Sequence, residues 1–161
     1  MSDEVKIGVV SCSGEDCLGG TISRLATRKM LDEIRPDETV TICLPLFLAG
    51  GAEERGFAEA YPTLAVDGCD KLCAKRATEK YSGKVSDAFD VSSLIGKEAA
   101  ESKPLSTRYL TEEHQEMVNK VAKEIRIRFE NILSDYYKNA AQRIKESGNA
   151  SNCGCGCTCG K

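Results

Sequence analysis

The sequence lacks the features that mark several common classes of protein. No apolar run approaches the roughly 18 residues of a membrane span. The net charge of −3 provides no basic excess for binding nucleic acid. Residues 1–4 include Asp3 and Glu4, where a secretory signal carries lysine or arginine. These absences predict a cytoplasmic protein that binds neither membrane nor nucleic acid.

Histidine is scarce and cysteine is abundant. The chain has one histidine, His114, which we expect to be solvated or to cap a helix rather than to bind metal. The nine cysteines are Cys12, Cys17, Cys43, Cys69, Cys73, Cys153, Cys155, Cys157 and Cys159. An odd number of cysteines in a reducing compartment favours metal binding or redox chemistry over a disulfide framework. A site for a soft metal would therefore be built mostly of sulfur.

Strand and helix patterns alternate through the first 96 residues. Apolar or β-branched runs predict strands at about residues 5–11, 38–44, 63–67 and 88–91, with helices at about 21–34, 53–60 and 70–81 between them. The alternation predicts a three-layer, Rossmann-like α/β domain over residues 1–96. Its four strands are parallel, with helices on both faces.

The positions of four cysteines predict the order of the strands. Cys12 and Cys17 follow the first strand, whereas Cys69 and Cys73 follow the third. A tetrahedral zinc ion needs its sulfur ligands within roughly 4 Å of one another, so the two loops must be neighbours. We therefore expect the sheet order 2-1-3-4. We also expect Cys69 to begin a helix whose dipole lowers the pKa of both of its thiols.

Cys43 competes for the fourth ligand position in the domain. It lies near the end of the second strand, which the order 2-1-3-4 places beside the first. The alternative interpretation is a small buried hydrophobic residue, because free cysteine is often fully buried.

Three segments of the domain resemble the DGC-domain family, zinc-binding proteins named for an Asp-Gly-Cys motif. They are Ile7–Gly14, Thr41–Pro45 and Val66–Arg76, which contains Asp67-Gly68-Cys69. The resemblance covers roughly residues 5–95. It implies four zinc ligands, Cys12, Cys69 and Cys73 together with either Cys17 or Cys43. Some family members accompany corrinoid-dependent methyl-transfer systems, so the resemblance also implies a protein partner of that kind.

A long amphipathic helix is predicted after a polar connector at residues 97–110. In the range 111–147 apolar residues recur every three or four positions, at Val118, Val121, Ile125, Phe129, Ile132, Tyr136, Ala140 and Ile144. Such a helix is roughly 54 Å long at 1.5 Å per residue, longer than so small a domain is deep. The favoured interpretation is a core-facing stripe with a solvated outer face, and the alternative is a homodimer through the helix.

The last segment, residues 148–161, has low complexity and is expected to be flexible without metal. It places Cys153, Cys155, Cys157 and Cys159 at alternating positions. Closely spaced thiols separated by small residues suit a second soft metal ion, Zn or Cu(I). The tail therefore indicates an arm that acquires or transfers metal.

Three functions are compatible with these patterns. The favoured one is a zinc-binding protein that handles metal through the domain site and the tail. The second is a zinc-dependent thiol or methyl-transfer enzyme or accessory protein with an open coordination position. In that case the charged residues Asp67, Asp70, Lys71, Lys75 and Arg76 would bind an anionic substrate, although a solvated helix face is the simpler interpretation. The third is a thiol redox sensor. Nucleotide binding is disfavoured, because Gly20 replaces the lysine that a phosphate-binding loop requires.

Overall fold

A computed structural model describes residues 5–12, 14 and 16–149. The strands are β1 Ile7–Ser11, β2 Thr39–Val40, β3 Thr63–Asp67 and β4 Asp87–Asp90. The helices are α1 Leu18–Lys29, α2 Leu44–Ala49, α3 Ala52–Arg55, α4 Phe57–Ala60, α5 Cys73–Tyr81, α6 Ser92–Ile95, α7 Lys97–Glu101 and α8 Glu112–Asn149. A π-helical turn, Met30–Ile34, extends α1, and a 3-10 turn, Thr107–Tyr109, precedes α8.

The four strands form one parallel sheet in the order β2-β1-β3-β4, which confirms the predicted fold class and strand order. Strand β1 pairs with β3 from Gly8 opposite Thr63 to Ser11 opposite Val66. The two strands thus end together, and the loops that follow them leave the same edge of the sheet. We call it the carboxyl edge.

Both faces of the sheet are covered. Ile7, Val9, Leu64 and Val66 form a buried core with α1 and α8, whereas Val10 and Ala65 pack on the opposite face with residues of α4 and α5. The alternation of buried side chains to opposite faces is the period-two pattern of strands covered by helices on both sides.

The second strand is shorter than its β-branched sequence predicts. Pairing stops at Val40, and the Thr41 hydroxyl donates a hydrogen bond to the carbonyl oxygen of Val9 at 2.7 Å. The Thr41 side chain thus occupies the Val9 carbonyl just after the point where the backbone pairing of β1 with β2 ends. Pro45 then lies in the first turn of α2, where its missing N–H costs nothing. The predicted strand 38–44 therefore ends early, and a short helix that the sequence did not indicate follows it.

The long helix α8 runs antiparallel to the strands, from the carboxyl edge past the opposite, amino edge. Near its start Met117 lines one cavity together with Leu94, which follows β4, whereas Ile132 lines another together with Ser86, which precedes β4. Its stripe is buried from Val118 to Ile132, and the later residues Tyr136, Tyr137 and Ile144 are exposed. The core-facing stripe is therefore observed for the first half of the helix, and the homodimer stays a prediction.

The polar connector predicted at residues 97–110 contains ordered turns of helix, α7 and the 3-10 turn. Ala100 of α7 is fully buried. Among the described residues, no helix combines the length and the apolar character needed to cross a membrane. The tail cysteines Cys153, Cys155, Cys157 and Cys159 lie outside the described residues.

Candidate metal centre

The first pair of cysteines brackets the loop between β1 and α1. The Cys12 N–H donates a hydrogen bond to the carbonyl oxygen of Val66 at 3.2 Å, which continues the β1–β3 pairing by one residue. Its sulfur lies 3.5 Å from the hydroxyl oxygen of Ser23. Cys17 immediately precedes α1, and its side chain is buried. Strand pairing and the start of a helix thus position these two thiols.

The second pair of cysteines brackets the turn between β3 and α5. The buried carboxylate of Asp67 accepts hydrogen bonds from the N–H groups of Ala74 at 2.6 Å and Lys75 at 3.1 Å. These donors belong to the first turn of α5, so the last residue of β3 fixes the start of the helix. Burial nevertheless raises the Asp67 pKa, since it disfavours the charged form.

The start of α5 differs from the sequence prediction. The helix begins at Cys73 rather than at Cys69, which lies in a turn that places Leu72 in the left-handed region at φ 51°. Cys69 and Cys73 therefore do not share a helix face. The predicted lowering of the Cys73 pKa is also wrong: burial raises it, and the nearby Asp67 carboxylate raises it further.

Three glycines, which we call the glycine junction, join the two loops: Gly19, Gly20 and Gly68. A Cβ atom on Gly68 would lie 2.2 Å from the backbone nitrogen of Gly20. One on Gly19 would lie 2.1 Å from the carbonyl oxygen of Gly68. Real Cβ contacts are never this short, so only glycine allows the two backbones to touch here. The junction holds the loop of Cys12 and Cys17 against the turn of Cys69.

The thiols of these loops are electrostatic neighbours. Burial is the main cause that raises the Cys17 pKa, and Cys69 and Cys12 raise it further, whereas a backbone hydrogen bond from Gly20 opposes the shift. Cys12 and Cys69 also raise the Cys73 pKa. Cys12 and Cys69 thus each raise the pKa of both Cys17, which precedes α1, and Cys73, which begins α5.

Cys43 is placed differently. Like Cys73 it is exposed, but it immediately precedes α2, and it is not among the main groups that shift the pKa of Cys17 or Cys73. Its predicted alternative role as a buried hydrophobic residue is therefore wrong, because the strand that would bury it has already ended.

The charged residues around the loops mostly pair with one another. Lys71 binds Asp16 at 2.5 Å, which ties the two loops together at the surface, and Lys97 lies 3.5 Å from Asp70. His114 binds locally, since its Nδ1 accepts from the Thr111 N–H at 3.1 Å, as predicted for a capping residue. A metal at the carboxyl edge would thus depend on sulfur.

The donor set suits a soft ion, although the side chains are not gathered around one point. In the described part of the chain, no three histidine, cysteine, aspartate or glutamate side chains are arranged so that they could hold a metal ion. The four thiols nevertheless lie on two loops that the glycine junction holds in contact. The donor chemistry fits zinc, and the thiol side chains would have to turn towards a common centre to bind it.

Comparison with known proteins identifies a family. The family model described as DGC domain matches residues 8–125, that is 118 of the 161 residues. No curated protein and no solved structure matches the chain.

Proposed function

Because this chain belongs to the DGC domain family, we propose that it binds one zinc ion through Cys12, Cys17, Cys69 and Cys73 and that it handles zinc for other molecules. The observation that carries the proposal is the glycine junction, which brings two cysteine-bearing loops into backbone contact at the carboxyl edge. Close backbone approach costs conformational freedom and leaves no room for side chains. A site assembled from two loops explains why such contact is useful.

The chemistry of the thiols agrees with a metal site. The pKa values of Cys17 and Cys73 are raised, so both thiols are protonated at neutral pH in the absence of metal. A divalent cation among them would replace the protons and neutralise the thiolates that burial and mutual repulsion disfavour. Zinc accepts four thiolates in tetrahedral geometry, and no histidine is needed.

The metal content of full-length variants tests this proposal. In one variant the four tail cysteines are replaced by serine, and in another Cys12 and Cys69 are replaced by serine. We expect the tail variant to keep about one zinc per chain when purified without chelators, and the Cys12/Cys69 variant to lose that zinc. Elemental mass spectrometry measures both. A tail variant without metal, or a Cys12/Cys69 variant that keeps every zinc of the wild type, would show that the domain thiols do not form the site.

The length of α8 limits how the tail can serve the domain site. Near the start of α8 the Lys120 amino group donates a hydrogen bond to the carbonyl oxygen of Leu94, which follows β4 beyond the carboxyl edge. From Lys120 to Asn149 the helix extends about 44 Å away from that edge. Ten further residues reach Cys159, and they span at most about 35 Å when fully extended. The tail is thus too short to return to the thiols of its own chain, which supports transfer between molecules.

Transfer between chains makes a kinetic prediction. A chain that carries labelled zinc only on its tail (with Cys12 and Cys69 replaced) is mixed with the tail-serine variant, and native mass spectrometry follows the label. We expect the initial rate to rise in proportion to the concentration of the acceptor. The control is an acceptor that also lacks Cys12 and Cys69, which should remain unlabelled. A rate independent of acceptor concentration would contradict direct transfer between the two chains.

A further inference from the structure

A groove of about 580 Å³ lies beside the candidate metal centre, between α2 and α5. Its lining residues are Leu44, Pro45, Leu48, Cys73, Arg76, Ala77, Lys80 and Tyr81. Sites for small molecules have volumes of roughly 300–1,000 Å³, apolar walls and a few converging polar groups. The groove has this size and this composition.

The spacing of residues on α5 gives the groove two different sides. Cys73, Arg76 and Lys80 follow one another at intervals of three and four residues, so they lie along one face of the helix. The apolar residues Leu44 and Leu48 of α2 face them across the groove, and Leu48 is exposed. An occupant would therefore contact hydrocarbon on one side and a row of polar and basic groups on the other.

The charge of the groove is positive. Its lining includes Arg76 and Lys80 and no carboxylate. Among the residues that the structure describes, neither cation forms an ion pair: Arg76 donates to the carbonyl oxygen of Lys71 at 3.4 Å, and the Lys80 amino group lies 4.9 Å from the centre of the Tyr81 ring. Arg55 stacks on the same ring at 5.0 Å and adds a third cation at that end.

We propose that this groove binds a small amphipathic organic anion, with its hydrocarbon part against Leu44 and Leu48 and its anionic group on Arg76 and Lys80. Charge complementarity selects the anion, because two cations without carboxylate partners would bind a carboxylate, phosphate or sulfonate. The exposed Leu48 favours an occupant with an apolar part, because that part would bury the leucine side chain away from water. The occupant would lie beside Cys73, so the groove gives such a molecule access to the thiol cluster.

Isothermal titration calorimetry of the full-length protein with decanoate tests the proposal. We expect saturable binding of one decanoate per chain and no matching site for decylamine, which has the opposite charge. Replacing both cations with neutral residues of similar length, Arg76→Gln with Lys80→Gln, should weaken decanoate binding about tenfold, as expected for two partly exposed ion pairs. The control is Lys84→Gln with Lys123→Gln, which removes the same charge from exposed positions outside the groove.

The outcomes separate this proposal from the zinc proposal. Decanoate binding that is about tenfold weaker in the Arg76/Lys80 variant and unchanged in the Lys84/Lys123 variant would support the groove, in zinc-loaded and in metal-free protein alike. Equal losses in both variants would show a general effect of charge and overturn the assignment. Equal binding of decanoate and decylamine, or no binding of decanoate, would also overturn it, whether or not the protein contains zinc.

Discussion

Replacing Gly68 by alanine is expected to destabilise the protein by about 3 kcal/mol, near the upper end of the usual cost of overpacking. The added Cβ would meet the backbone of Gly20 at 2.2 Å, and backbone atoms cannot rotate away as a side chain can. The two loops would have to separate, which would also move Cys69 away from Cys17. Thermal unfolding of the metal-free protein should show a fall in Tm of roughly 10 °C.

Gly56→Ala is the matched control for this substitution. A Cβ on Gly56 would lie 3.6 Å from its nearest neighbours, an ordinary van der Waals contact, and the residue has a helical φ of −78°. Alanine there should change the free energy of unfolding by less than about 1 kcal/mol, in the stabilising direction, because it restricts the unfolded chain. Equal stability of the two variants would show that close contact between the loops does not hold them together.

The glycine junction could not be predicted from the sequence. Gly19, Gly20 and Gly68 are separated by up to 49 positions, and what they share is a contact that exists only in the folded chain. In the sequence, Gly20 is notable only because it replaces the lysine that a phosphate-binding loop requires. Asp67 is a second example. The sequence predicts that Asp67 ends a strand. It does not predict that the Asp67 carboxylate accepts hydrogen bonds from the first turn of α5, because that depends on how the folded chain buries and orients the side chain.

The order of the strands was predictable for a different reason. Cysteines in the loops after the first and third strands have to be neighbours if they are to share an ion, and this condition selects 2-1-3-4. The length of β2 was not predictable, because β-branched residues favour a strand locally. The Thr41 side chain binds the Val9 carbonyl beside the place where the ladder ends, and Pro45 favours a helix start. Tertiary contacts thus override local propensity in the segment that carries Cys43.

The second prediction with a large expected effect concerns the fourth zinc ligand, for which Cys17 and Cys43 are the candidates. Cys17 is buried, and Cys69 is one of the groups that raise its pKa, whereas Cys43 is exposed ahead of α2 and is not among those groups. In a chain whose tail cysteines are serine, Cys17→Ser should lower zinc affinity more than about 100-fold, since changes outside the ligand shell already cost 10–100-fold. Cys43→Ser should leave the affinity nearly unchanged. Competition with a chromophoric chelator measures both.

X-ray absorption of the same zinc-loaded variants counts the sulfur ligands independently of affinity. We expect four sulfurs in the parent and in Cys43→Ser, and three sulfurs with one lighter ligand in Cys17→Ser. The opposite result, a loss with Cys43→Ser alone, would assign the fourth position to Cys43. Three sulfurs in the parent, unchanged in both variants, would leave one position open to a substrate beside the basic groove. That result would contradict the closed four-thiolate site and favour zinc-dependent thiol or methyl transfer, because an open position is what such chemistry requires of zinc.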